Sequence, residues 1–412
     1  MANTINTVKD GPGLFAKGVA ERLRDNLKFC SFVDKADESE FDGKNGFKSG
    51  DTIYTSIPAR KIVQEDNLDI SSLNKDSKEE KAALTLDKTA TTADEFDSLE
   101  LATDVDVKNA LKRFGMPAAD ALAHQIEARC FQIATDKTYN LSGTAGSTQF
   151  TVSDILESKT LLDENLAPLN DRMLFMNSRN GAEAVDARKG LFQSSEEIAK
   201  QYRDGYIGRA DGFDWVQTQL VGSLTTGSQG GTPLTDGTGS EGDAIIHIDG
   251  VTSGNTWTKG TVFTVEDIYM VHPITKETTG QLQKFVVTAD TTFTSGEADV
   301  PISPSLYAAA TDGRKNVDAL PADGKTITLL SGATASTTYN QSLALHKSAF
   351  KMVTVPLYQP KGVDLVASET VDGITVNIVR DYDQTYRKIT TRYDVLYGFD
   401  AVRPEWSTRI TA

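Results

Sequence analysis

The residues of this chain that could do chemistry are four histidines, two cysteines, one glycine-rich run and a cluster of lysines. His124, His247, His272 and His346 fall on different predicted elements, with no HxxxH or HxE spacing that would set metal ligands on one face. Cys30 and Cys130 are far apart, outside any CxxC pattern and among apolar neighbours on helix-like stretches. That reads as buried thiols, not as a zinc site or a disulfide framework. Gly237–Gly242 (GTGSEG) matches GxGxxG in form. It sits in a polar run with no strand before it and no amphipathic helix after it, so the context for cradling a pyrophosphate is missing. No GxSxG nucleophile elbow occurs, and neither cysteine has a local sequence suited to activation. Lys75, Lys78 and Lys81 lie in the run KDSKEEK, where charge and hydration keep amines protonated and poorly nucleophilic. The expectation is therefore no catalytic, cofactor-binding or metal-binding residue, no cofactor, and no enzyme.

Composition points the same way. The chain has 412 residues and a formal net charge of −16, from 58 Asp and Glu against 42 Lys and Arg. That length calls for two or three folding units. The acidic balance suits solvated faces and ion pairs between subunits, and opposes a tight grip on nucleic acid, which needs clustered cations. No apolar stretch is long enough to cross a bilayer as a helix, and the start MANTINTVKDGPG has no signal-peptide pattern. The expected partners include no membrane, and synthesis inside the cell is expected.

The elements that would position these residues are read from periodicity. Phe15, Val19, Leu23 and Leu27 recur at i, i+4 after Pro12 and Gly13, predicting an amphipathic helix that needs a partner surface. Asp51–Pro58 (DTIYTSIP) reads as a strand, Arg60–Lys81 as a polar excursion, and Leu84–Thr92 as the returning strand. Such a long hairpin has almost nothing to build a core of its own, and reads equally as a mobile surface loop or as an element stable only against another molecule. Helix and hairpin are thus both expected to be surfaces left unsatisfied within the subunit. From Val105 to Tyr139 a short helix, a break at Gly115 and a long helix from near Pro117 are predicted, with Leu122, Ile126, Cys130, Ile133 and Ala134 as the apolar stripe and Asp120, Gln125, Glu127 and Arg129 off it. Next come a helix N-capped by Ser153 with Ile155, Leu156, Leu161 and Leu162 on its face, a buried strand Arg172–Asn177, a helix Asn180–Lys189, and a strand around Phe213–Val221.

Gly222–Glu241 lacks hydrophobic periodicity and reads as a linker. Short strands follow at Ala244–Asp249, Thr261–Val265, Asp267–His272, Lys284–Ala289 and Thr326–Leu330, a density that predicts a small barrel or sandwich. Met352–Leu357, Ile374–Arg380 and Thr390–Phe399 then predict an antiparallel sheet.

The order of these pieces resembles the Hong Kong 97 capsid fold, an α+β architecture of N-arm, extended hairpin loop, spine helix and axial domain. It resembles in particular the coat proteins of short-tailed phages of the P-twenty-two type, in which a small antiparallel β-barrel is inserted. The likeness is carried by DTIYTSIP (51–58), YRDG (202–205), GFD (212–214), QKFVVTA (283–289), VPISP (300–304), LALHKSA (343–349) and YGFDAVRPEW (397–406). Laid on this chain, the resemblance implies an N-arm at 1–45, a hairpin loop at 46–100, a peripheral domain with the spine helix at 101–150, an axial domain at 151–221 and 341–395, an inserted barrel at 222–340 and a returning segment at 396–412. It further implies a major capsid protein assembling with itself into pentamers and hexamers of an icosahedral shell in the host bacterial cytoplasm. A separate scaffolding protein and a portal protein would be partners, packaged DNA would be touched only weakly, and the precursor shell would expand as DNA enters. A β-rich surface-layer or adhesin-type protein and an enzyme with an inserted lid domain are the rival classes.

Overall fold

The computed structural model describes residues 11–35, 52–58, 60–61, 79–97, 114–147, 150–187, 208–309, 313–332, 334–360, 362–386 and 388–411. They belong to two compact units, one drawn from 1–55, 83–130 and 350–400, the other from 56–82, 131–349 and 401–412.

The first unit is built on a six-stranded sheet around the long strand Lys388–Ala401. That strand pairs antiparallel with Lys88–Asp97 on one side and Ile374–Asp383 on the other, and Ile374–Asp383 in turn carries Leu365–Val371. Phe350–Val355 and the short parallel strand Asp34–Lys35 complete it. Gly398 is required there: a Cβ would lie 2.7 Å from the Thr85 carbonyl oxygen and 3.1 Å from Val353 Cγ1.

Helix α1 (Gly11–Asn26) packs on Leu365–Val371 and Ile374–Asp383. Ala16, Val19, Ala20, Leu23 and Leu27 follow the i, i+3, i+4 rule and are completely buried. This corrects the sequence expectation, because the helix finds its partner surface within its own chain. In the short helix α2 (Lys28–Phe32), Phe29 packs against Phe399 and Phe350, which stack on each other at 5.6 Å. Helix α3 (Met116–Lys137) carries Pro117 in its first turn, where a missing N–H costs nothing. Leu122, Ile126, Cys130 and Ala134 are buried as predicted, with Phe131 added to them, while Ile133 is half-buried.

In the second unit α3 ends against a seven-stranded mixed sheet. Thr338–His346 is central, between Arg172–Met176 and Ser407–Thr411. Parallel pairings add Phe213–Gln217 and Leu141–Ser142. Helix α4 (Val152–Glu164) packs on this sheet through Ile155 and Leu162, and α5 (Ser178–Ala187) through Ala184. The cap of α4 is Thr151, not Ser153: the Asp154 amide donates to Thr151 Oγ1 and the Thr151 amide donates to Asp154 Oδ2. Starting the helix there leaves Leu156 exposed rather than on the apolar face.

The same unit holds a six-stranded antiparallel sheet in the order Gly231–Thr235, Ile245–Val251, Ala298–Ser303, Thr278–Val287, Val262–Val271, Ile327–Leu329. Its ends meet, since Leu234 bridges Thr326 and the Thr235 amide donates to the Lys325 carbonyl. The sheet therefore closes as a small barrel around Trp257, Phe263, Phe285 and Phe293. The two segments expected at 261–265 and 267–272 form one strand, kinked where Asp267 adopts φ 62° and the register shifts. The predicted linker is likewise more ordered than expected, because Ser223–Thr225 pairs with Thr338–Asn340 and Gly231–Thr235 opens the barrel.

Candidate functional site

Among the described residues the four histidines stand apart from one another. His124 Nδ1 lies 2.6 Å from the Asp120 carbonyl oxygen of its own helix. His247 pairs across strands with Asp299. His272 Nδ1 accepts from the amides of Ile274 and Thr275, and His346 is buried edge-on against Trp406. Among the described residues no three His, Cys, Asp or Glu side chains gather as a metal site. The amides of the GTGSEG run are already used: Gly237 donates to Asp323, Gly239 to the Pro321 carbonyl, Ser240 to Asp243 and Gly242 to the Leu306 carbonyl. A phosphate would find few donors left. Lys81 is exposed on the hairpin, whereas Lys75 and Lys78 at its tip, the YRDG motif and the predicted short helix before α3 lie outside the described residues.

A cavity of about 340 Å³ is lined by Asp136, Lys137, Lys259, Thr288, Ser303, Ala401 and Pro404. Its principal charges neutralise one another, with Lys259 Nζ 3.1 Å from Asp136 Oδ2 and Gln132 donating to Asp136 Oδ1. No nucleophile–base pair points into it.

What the geometry does provide is surfaces and joints. The hairpin strands Thr52–Ile57 and Glu80–Thr85 each bury one residue, Ile53 and Leu84, which join Leu86, Val353, Val355 and Leu396 in a small core. Everything else on them is exposed or half-exposed, and Tyr54 is 65% exposed. Tyr382 near the end of the Ile374–Asp383 strand, Tyr386 in the turn that follows it, and Tyr358 after Phe350–Val355 are also exposed.

A second joint seats the barrel. Phe263, Val265, Phe285 and Val287 point inward, as strand alternation requires. Val262 and Val286 point outward and are nonetheless fully buried, because Tyr139 and Leu141 cover them. Around that apolar plug, Lys284 Nζ donates to the Leu141 carbonyl at 2.7 Å, with Glu157 3.6 Å away. Burial holds the Lys284 amine below its usual range, against the opposing pull of Glu157. Arg409 is wholly buried on the Ser407–Thr411 strand and donates through Nη2 to the Gly260 carbonyl at 2.8 Å. Burial lowers its pKa to about 10, with Asp136 opposing. Gly222 marks the same joint, since a Cβ there would lie 2.1 Å from Thr135 Oγ1. Sequence patterning missed this arrangement: STRIT reads as polar, yet all five residues of that strand are buried.

The last joint is that of α2 with α3. Glu127, expected on the solvent side, is 3% exposed. Its Oε1 accepts the Phe29 amide at 2.7 Å, satisfying an N–H that α2 leaves unpaired. Burial raises the Glu127 pKa, opposed by that hydrogen bond and by Lys28 and His124. Near the start of α3, Arg22 of α1 makes a bidentate pair with Asp120.

A family model described as "P22 coat protein - gene protein 5" matches residues 19–408. The coat protein I-domain of CUS-3 is 30% identical to the segment it matches, covering 25% of this chain and 96% of that one, with a TM-score of 0.20 over the whole. The Mycobacterium phage Che8 structure aligns at 12% identity over 92% of this chain and 89% of that one, TM-score 0.45. The capsid of cyanophage P-SCSP1u gives 12% identity, the same coverages and a TM-score of 0.44. No curated protein sequence matches the chain.

Proposed function

The chain belongs to the P22 coat protein family of tailed-phage major capsid proteins, and on that premise we propose how it builds its shell. Subunits join as pentamers and hexamers around a separate scaffolding protein in the host cytoplasm, a portal protein occupies one vertex, and the precursor expands as DNA is packaged. Residues 222–340 act as an inserted domain and 46–100 as the loop reaching a neighbour. The subunit itself is no enzyme. The observation that supports this reading most strongly is the family match across 19–408. The near-absence of buried side chains on the hairpin strands agrees with it. Net charge of −16 keeps contact with packaged DNA weak.

Electron microscopy of the purified protein, alone and with its neighbouring gene products, tests the reading. Closed or partial shells of uniform curvature are expected. Fibres would replace it with a surface-layer protein, and compact monomers showing turnover with an enzyme. The shell is also held without covalent links between subunits, so particles boiled in detergent without reductant release a single species at monomer mass. A ladder of larger species would overturn that part.

A further inference from the structure

Cys30 and Cys130 are the only cysteines of the chain, and both are unbridged and fully buried. They are brought together by the joint between α2 and α3. The Phe29 amide donates to Glu127 Oε1 at 2.7 Å, Cys30 follows Phe29, and Cys130 stands about one helical turn after Glu127. The two thiols are neighbours, Cys130 acting directly on Cys30, and Tyr397 lies close enough to feel both cysteines and Arg129. Phe29, packed on Phe399 and Phe350, holds the joint shut.

We infer that Cys30 and Cys130 are a redox clamp, an oxidative modification site that joins the N-terminal helices covalently to α3 when a small-molecule disulfide is available. The chemistry balances. The Cys30 thiolate attacks the small disulfide and expels one thiol, leaving a mixed disulfide. Cys130 then attacks Cys30 Sγ and expels the second thiol. The protein loses two protons and two electrons, and the small disulfide is reduced to two thiols. In the closed subunit this is slow. The neighbouring Cys130 thiol and burial hold the Cys30 thiol well above its usual range, with Glu127 adding to them and Lys35 opposing, and the oxidant has no access. The clamp therefore forms when α2 lifts transiently, and once formed it keeps α1 and α2 from leaving. A protein made in a reducing compartment and later held outside it would pass from the open to the closed clamp. That last step rests on the shell reading, whereas bond formation does not.

The test uses the full chain, as subunit and as assembled particle, incubated with oxidised glutathione and then examined by intact mass spectrometry, peptide mapping and non-reducing electrophoresis. Loss of both free thiols, a mass lower by two hydrogens, a Cys30–Cys130 linked peptide and monomeric migration are expected. In denaturant, the oxidised protein should retain amide protection over residues 15–33 at concentrations where the reduced protein has lost it. C30A and C130A should each yield only a single glutathione adduct. Because the oxidised and reduced wild-type proteins carry the comparison, it does not depend on either variant folding. Stable glutathione adducts on the wild type, disulfide-linked dimers, or unreacted thiols under denaturant that frees residues 15–33 would each overturn the inference. Shells that form normally while the thiols fail to join would overturn the clamp and leave the assembly reading standing.

Discussion

Helix α1 and the hairpin strands start from the same condition and end differently. Neither has sequence neighbours able to cover it. Helix α1 has an apolar stripe, and Ala16, Val19, Ala20, Leu23 and Leu27 are buried on strands supplied by residues 365–383. The hairpin offers only Ile53 and Leu84 to a core, with Tyr54, Ser56, Glu80 and Lys81 left exposed. Lacking a local partner does not make an element an assembly surface. An element becomes one when the rest of its own chain has nothing to offer it.

The largest effect that would break this contrast is expected from Leu23→Asp. It places an unpaired charge at a fully buried site, costing several kcal/mol, enough to remove most of the stability of a domain. Loss of soluble subunit is expected on expression. Recovery of folded, assembly-competent protein would show that α1 is not docked in the subunit.

A smaller, pH-dependent effect is expected at Glu127. Its folded-state pKa is raised above the unfolded value near 4.5, so its protonated form favours the folded state. That contribution is complete below about pH 4.5 and is lost as pH rises through the folded pKa. Thermal melts of Glu127→Gln, which keeps an acceptor for the Phe29 amide, should show a flatter pH dependence from pH 4.5 upward. A slope identical to wild type would place the titration elsewhere.

The smallest effect on the subunit is expected from Tyr54→Ala. The residue is 65% exposed, so the melting midpoint should move by no more than about 0.5 kcal/mol equivalent, while the yield of shells falls. Normal shell yield would remove Tyr54 from the contact surface.

Much of this contrast was legible in the sequence, and its limits are physical. The α3 stripe and the strands around Val262–Val271 and Thr278–Val287 announced themselves because helical and alternating periods leave a trace in side-chain type. The partner of α1 left none, because it lies at the far end of the chain. Glu127 was misplaced for a similar reason: a buried carboxylate that accepts a backbone N–H looks, in sequence, like any other charge on a helix. Ser407–Thr411 and Arg409 escaped notice because the strand buries short polar side chains and a guanidinium that donates through Nη2, while Arg409 Nε and Nη1 and Thr408 Oγ1 are buried without a partner, and such residue types read as exposed. The joint that seats the barrel was invisible until Val262 and Val286 were found buried on the side that alternation assigns to solvent.

The most direct test of the account is amide hydrogen exchange on the isolated subunit and on the assembled shell. Protection of α1 in both states is predicted, with Thr52–Ile57 and Glu80–Thr85 exchanging quickly in the subunit and slowly in the shell. Rapid exchange of α1 in the subunit, or equal protection of the hairpin strands in both states, would contradict it.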